Sequence, residues 1–350
     1  MDLAWTQEQE SVREAFADFF AKEAPLTRLR AAEPLGFDSD LWHSAVQTGA
    51  ITMGVPESLG GGDASSLDLV LVTREFGRHL APIPYVEATA AVDVLAAAEA
   101  GHRFIAGIAE GQILPTVALR PAIGGVARLA PAGAVADLIV ALDGSELVVV
   151  TRSGSKPYAA SPRNLADSPI ADWDLRADGQ ERVVLAAGAE AQRLHGRVVS
   201  LWRLLTGAAL TGLAAQALDI GVNYVKNRQA FGVTIGSFQT IQHRLADVTT
   251  AGDGTELLVY KAGWARDEDP VHADALATMA FLAAADIAFR TCREALQFHG
   301  GYGYTLEYDI QLYWRRAKAW PLAIGSSPRE YQILAAQLWD KTASDDGTEA

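Results

Sequence analysis

VNYVKNRQAFGVTIGSFQTIQHRLADV, Val222–Val248, holds two amphipathic segments either side of a short break. Val222, Val225, Ile241, Leu245 and Val248 fall at helical spacing on the two flanks. Gly232 and Gly236 interrupt any helix between them, and Arg228 closes the first one. A guanidinium beside a glycine and the aromatic Phe231, held between helices, suits the pyrophosphate and base of a nucleotide. The same residues serve equally well as a helix C-cap, for Arg228, and ordinary core, for Phe231.

A second stretch, QFHGGYGYTLEYDIQLYWRRAK, Gln297–Lys318, ends a helix at Gly300-Gly301, makes an aromatic glycine turn, and continues into a segment carrying Arg315, Arg316 and Lys318. By itself a glycine pair there is a left-handed cap. Together the two stretches resemble the acyl-CoA dehydrogenase family, whose carboxy-terminal pattern is RxxFG…FQ…Q followed by QxxGGxGY…E…R..K. The match runs without visible gaps. The resemblance implies FAD as cofactor and an acyl-CoA thioester as substrate. It implies cofactor contacts at Arg228, Phe231, Ile235, Phe238, Gln239, Gln297, Gly300 and Gly301, residues that in the family reach a neighbouring subunit's FAD.

Composition bounds the rest. A chain of 350 residues suggests two or three units. Hydrophobic content of 49% and charged content of 21% describe a soluble globular protein. The single cysteine, Cys292, rules out an internal disulfide, fits a reducing, cytoplasmic setting, and follows apolar helix residues as buried packing. No signal peptide and no bilayer-length apolar run are expected. A net charge of −14 argues against nucleic acid and leaves any anionic cofactor dependent on local cations.

Along the chain, Thr6 to Gln9 reads as a capping box opening a helix through Phe20, and Asp38–Gly49, Ser66–Gly77, Val86–Ala98 and His102–Glu110 read as further helices. The glycine-rich Met53–Asp63 lacks the Lys-Ser/Thr of a phosphate loop and resembles a family turn between amino-terminal helices. From Ile113 the period changes: Leu114–Leu119, Ala136–Leu142, Glu146–Thr151 and Arg182–Leu185 read as strands, with a hairpin turn at Asp143-Gly144. Beyond Glu190, Leu194–Asn227, Ile241–Asp267, Ala273–His299 and Ser327–Lys341 carry helical patterns suited to a four-helix bundle. The tail SDDGTEA reads as frayed. The expected fold is mainly α with a small β domain: residues 1–112 helical, 113–190 a trimmed β domain, and 191–350 the bundle. The acyl-CoA dehydrogenase resemblance implies the same architecture. Apolar residues on more than one face of Ala273–His299 point to a dimer or tetramer formed through the bundle.

The chain also departs from the family. Dehydrogenation needs a carboxylate base, which the resemblance places in a "YEGT" loop; that glutamate position is Ile324, in Ala323-Ile-Gly-Ser326. The other family location, a "LERL" helix context, is Leu201-Trp-Arg-Leu204, where Trp202 fills the position and Arg203 beside it reads as a surface or interface residue. Glu307 matches a family position outside the base role. Glu330 reads as part of a capping box, with Ser327 as N-cap and Pro328 at N1. No residue is therefore assigned as catalytic. Val117–Gly125 lacks the hydroxyl and acidic residues that hold the isoalloxazine in the family, and the strand pair that follows reads as trimmed. The sequence thus points to the non-catalytic partner of a heteromeric acyl-CoA dehydrogenase, resembling actinobacterial pairs, that completes the FAD site of a base-bearing subunit, with an electron-transfer flavoprotein as acceptor. A homomeric enzyme with an unrecognised base, and a flavin-free scaffold or acyl-CoA-binding protein, stand as alternatives.

Overall fold

The computed structural model describes residues 5–152 and 160–339. The tail and the last two residues of the expected Ser327–Lys341 helix lie outside the described residues. Six helices open the chain: α1 Gln7–Glu23, α2 Leu26–Ala32, α3 Ser39–Gln47, α4 Ser66–His79, α5 Tyr85–Ala97 and α6 His102–Ala109. The Thr6–Gln9 capping box is formed in both directions, and Asp38 caps α3 by accepting from Leu41 N. The sequence reading missed α2, a seven-residue helix.

The middle segment holds β1 Pro115–Val117, β2 Val126–Ala130, β3 Leu138–Asp143, β4 Glu146–Thr151, β5 Ala171–Asp174 and β6 Glu181–Ala187. One sheet runs β1-β3-β4-β6, with β1 parallel to β3 and the other pairs antiparallel. Gly144, at φ 63°, turns β3 into β4, with Asp143 paired to Glu146. The hairpin forms where it was expected, with Gly144-Ser145 as its two turn residues, one position on from the Asp143-Gly144 of the sequence reading. All six residues of β3 are buried, as is Leu147–Val150 of β4, which explains their continuous apolar runs. Strands β2 and β5 form a separate two-stranded antiparallel sheet.

The remainder is α7 Ala189–Asn227, β7 Gln229–Ala230, β8 Val233–Thr234, α8 Gln239–Glu268, α9 Pro270–His299, α10 Ile310–Ala319 and α11 Ser327–Trp339. Helix α7 packs on α9, α4, α5 and α8, joining the bundle to the amino-terminal helices. Small residues permit the closest crossing: a Cβ on Gly77 or Gly212 would lie 1.9 Å from the backbone oxygen of Ala209 or Arg74 respectively.

Two expectations need correction here. Helix α9 touches α7, α8, α10 and α11, so its several apolar faces are met within the chain and carry no argument for assembly. Helices α7 and α9 are in fact long and apolar enough to cross a bilayer, contrary to the sequence expectation. However, 94% of the most apolar stretch of α7 and 67% of that of α9 is buried in the fold.

Candidate functional site

Arg228 ends α7, its backbone N–H bonded to Tyr224 O at 2.8 Å, so the C-cap reading holds for its backbone. The break after it is a tight hairpin, β7 paired antiparallel to β8 through Ala230 and Val233. Its two turn residues are Phe231, φ 54°, and Gly232, φ 81°. A two-residue hairpin with both central φ positive ordinarily takes Asn-Gly, and a phenylalanine there is strained. Phe231 is also 96% exposed, which overturns its reading as core. The ring is thus held facing solvent by a turn whose conformation disfavours it.

The neighbouring residues gather on this hairpin. Ile235 N donates to Arg228 O at 2.8 Å, Phe238 meets Phe231 edge-to-face at 6.4 Å, and Gln239 opens α8. The second stretch lies alongside: Tyr224 stacks on His299 at 3.8 Å, and a Cβ on Gly221 would touch Ala295 at 3.0 Å. His299 donates from Nδ1 to Ala295 O at 2.7 Å. Gln297, Gly300 and Gly301 are exposed at that helix end, with Gly300 at φ 63°. All eight residues of the sequence-predicted contact set therefore belong to one hairpin and the adjoining helix end. Arg228 is exposed and makes no ion pair among the described residues. A free bidentate cation, two rings and glycine backbone fit an extended ligand with a pyrophosphate and a base, approaching from outside the chain.

A separate cavity of about 310 Å³ lies between α4, α5, α7, α10 and the loop before β5. None of the eight contact residues lines it. Trp202 does, as does Ala323 beside the buried Ile324. Neither Trp202 nor Ile324 carries a carboxylate. Phe76 and Trp320 stack at 6.0 Å as one wall. Arg316, 3% exposed, also lines the cavity; burial first, then the neighbouring Arg315, lowers its pKa to about 10. Glu33 accepts from both Arg315 and Arg316, and Asp167 pairs with Arg315, so the two guanidiniums are matched by two carboxylates. Glu307 is exposed in the turn before α10.

Glu330 requires a different account from the one its sequence suggests. Ser326 O accepts from the N–H groups of both Arg329 and Glu330, so the cap lies one residue earlier and Glu330 falls a position too deep for a capping box. Its carboxylate instead accepts from Arg203 Nε at 2.7 Å, and both side chains are buried. Arg203 is thus neither a surface nor an interface residue of this chain.

With the geometry in place, comparison with known proteins identifies the kin. Family models for the acyl-CoA dehydrogenase N-terminal domain and C-terminal domain match residues 6–112 and 194–339. The acyl-CoA dehydrogenase IpdE2 of Mycobacterium tuberculosis is 30% identical over 341 residues, covering 95% of this chain and 98% of that protein. The chain belongs to the acyl-CoA dehydrogenase family. FadE28 of the same organism, also an acyl-CoA dehydrogenase, is 30% identical over 331 residues, covering 85% of this chain and 91% of its own. Among solved structures, the ChsE4–ChsE5 complex of Mycobacterium tuberculosis superposes with a TM-score of 0.85 at 22% identity, covering 100% of both chains. That likeness establishes the common fold: amino-terminal helices, a small β region and a carboxy-terminal bundle.

Proposed function

We propose that this chain is the non-catalytic subunit of a heteromeric acyl-CoA dehydrogenase, completing the FAD site of a base-bearing partner. The observation that carries the reading is an asymmetry. The surface hairpin and glycine turn that suit a dinucleotide are complete, whereas Trp202 and Ile324 stand where the family places its base. Arg228, Phe231, Ile235, Phe238, Gln239, Gln297, Gly300 and Gly301 would hold the cofactor's pyrophosphate and adenosine. FAD, when bound, supplies the hydride acceptor for dehydrogenation of the acyl-CoA thioester. This chain's part is binding and orientation at the subunit boundary, and the partner supplies the base. The structural likeness to the chains of a complex supports a heteromeric assembly. Segments 1–112, 113–190 and 191–350, an electron-transfer flavoprotein as acceptor and a cytoplasmic setting belong to the same proposal.

The test is flavin retention. In the complex reconstituted with a catalytic subunit, Arg228→Ala is expected to weaken FAD binding about ten- to a hundredfold, the loss of one charge-assisted contact. Arg228→Lys should recover part of it, keeping the charge without the fork. Colour separates the readings. A yellow chain when expressed alone means a self-contained flavoenzyme, yellow only with a partner supports the heteromer, and colourless in both settings means a scaffold.

A further inference from the structure

Helix α8 is continuous over 30 residues, but its two halves are held very differently. From Gln239 to Gly254 it buries Val248 alone among the described residues, whereas Thr255, Val259, Tyr260, Ala262, Gly263 and Ala265 are buried beyond that point. The polar ties follow the same division. In the second half Glu256 accepts from Tyr260 and pairs with Arg74 at 2.9 Å. Asp267 accepts from both the N–H and the hydroxyl of Ser66 at 2.7 Å, and Arg266 meets Asp93 at 3.0 Å. The first half is tied to α9 by Arg244–Glu294 at 2.9 Å and Arg290–Asp247 at 3.6 Å, each through a side chain more than half exposed. Surface pairs of that kind contribute little.

The sequence between the halves, Thr249-Thr-Ala-Gly-Asp-Gly-Thr255, opposes a helix. Ala251 is its one strong helix former; Thr, Asp and Gly all rank low. The hydroxyls of Thr249 and Thr255 donate back to Leu245 O and Ala251 O at 2.8 Å, a bond that slightly weakens a helix. Nothing in the chain's own packing calls for the glycines, since a Cβ on Gly252 or Gly254 would meet no atom within 4 Å. Packing does not compensate either. A gap of about 60 Å³ lies under this turn, between Val248, Gly252 and Glu256 of α8 and Leu218, Ile287 and Thr291 of α7 and α9.

We infer that Gln239–Gly254 is a separate opening unit, which unwinds at Thr249–Thr255 while α7, α9 and the anchored half of α8 stay folded. Local opening draws on segments with few buried apolar side chains and exposed backbone hydrogen bonds, and this half of the helix is such a segment. The unit begins at Gln239, directly after Ile235 and Phe238. Where the dinucleotide reading of those residues is granted, a ligand seated on them binds the closed form and holds the unit shut by mass action.

The experiment is hydrogen–deuterium exchange of the full-length chain across a urea series below its unfolding transition, with rates corrected for intrinsic exchange. Amides of Val248–Thr255 are expected to exchange about a hundredfold faster than those of Leu204–Leu213 in the buried part of α7, and to respond less to urea, because local opening exposes less surface than global unfolding. Gly252→Ala combined with Gly254→Ala should slow the α8 amides about ten- to thirtyfold, the helix preference of two alanines over two glycines. Gly196→Ala, at an exposed and equally open place on α7, should leave them unchanged. Equal protection and equal urea dependence in the two helices would overturn the inference, as would slowing by Gly196→Ala to match the α8 pair. In the complex reconstituted with a catalytic subunit, added FAD should slow the α8 amides further. Retained FAD with those amides unmoved would remove the coupling to the dinucleotide site. A complex that retains no FAD counts against the subunit reading and not against the opening unit, which the lone chain decides.

Discussion

Arg203 and Glu330 stand 127 residues apart in sequence and 2.7 Å apart in space, nearly dry. Their pairing holds α11 against α7. Removing either partner strands a charge in the interior, which costs about 3–5 kcal/mol, a large share of the roughly 5–15 kcal/mol by which a domain is folded. Glu330→Leu should therefore lower the denaturant midpoint sharply. Arg203→Met combined with Glu330→Leu should recover most of the loss, because an apolar pair of similar volume faces no desolvation penalty. A loss of only ~0.5–1 kcal/mol for Glu330→Leu, the scale of a helix cap, would restore the capping-box reading. Sequence could not reveal this pair. Ser327-Pro-Arg-Glu330 offered a complete local explanation, and only packing brings Arg203 to the same place.

At the scale of elements, those with a sustained apolar period were legible, and several short or irregular ones were not. Helices α4, α5, α7, α8 and α9 declare themselves through repeated apolar periods and end signals, and β3 and β4 through buried runs around Asp143-Gly144. Strands β2 and β5 have four or five residues each and a register irregularity between Ala127 and Ala130, so no clean alternation survives. The β7–β8 hairpin was missed because its strands have two residues each and its turn carries Phe-Gly in place of Asn-Gly. The gathering of the eight expected contact residues at one end of the bundle was legible from motif spacing, whereas the cavity, assembled from distant segments, was not. The unusual turn yields its own prediction. Phe231→Asn suits the left-handed conformation, and the lost ring is 96% exposed, so the isolated chain should be stabilised by about 0.5–1 kcal/mol. The same substitution should weaken FAD retention in the complex by removing a contact ring. Thermal melts of the isolated chain and flavin stoichiometry of the complex measure the two effects separately. A fall in stability would show that the phenylalanine belongs to this chain's own packing.

The whole molecule carries a net charge of −14, yet the end of the bundle formed by the hairpin and glycine turn exposes Phe231, Val233, Tyr302, Tyr304 and Leu306 beside Arg228, which makes no ion pair among the described residues. Apolar surface of that kind, next to a cation on an acidic protein, favours association over solvation, and an anionic ligand at the boundary would add to it. With α9 satisfied internally, this end rather than the bundle interior carries the argument for assembly. Anything that binds the folded chain and not the unfolded one stabilises it by mass action, by about 2.7 kcal/mol at a hundredfold excess over Kd. The melting temperature of this chain should therefore rise with the concentration of a catalytic acyl-CoA dehydrogenase subunit supplied with FAD, and rise less without FAD. Arg228→Ala should leave the lone chain's melting temperature unchanged, since the side chain is exposed and makes no ion pair among the described residues, while reducing the FAD-dependent part of the increase. Differential scanning calorimetry across a partner titration reads both effects. A melting temperature independent of partner and FAD would remove the heteromeric reading. An FAD-dependent rise unchanged in Arg228→Ala would keep the assembly but move the pyrophosphate contact to another residue.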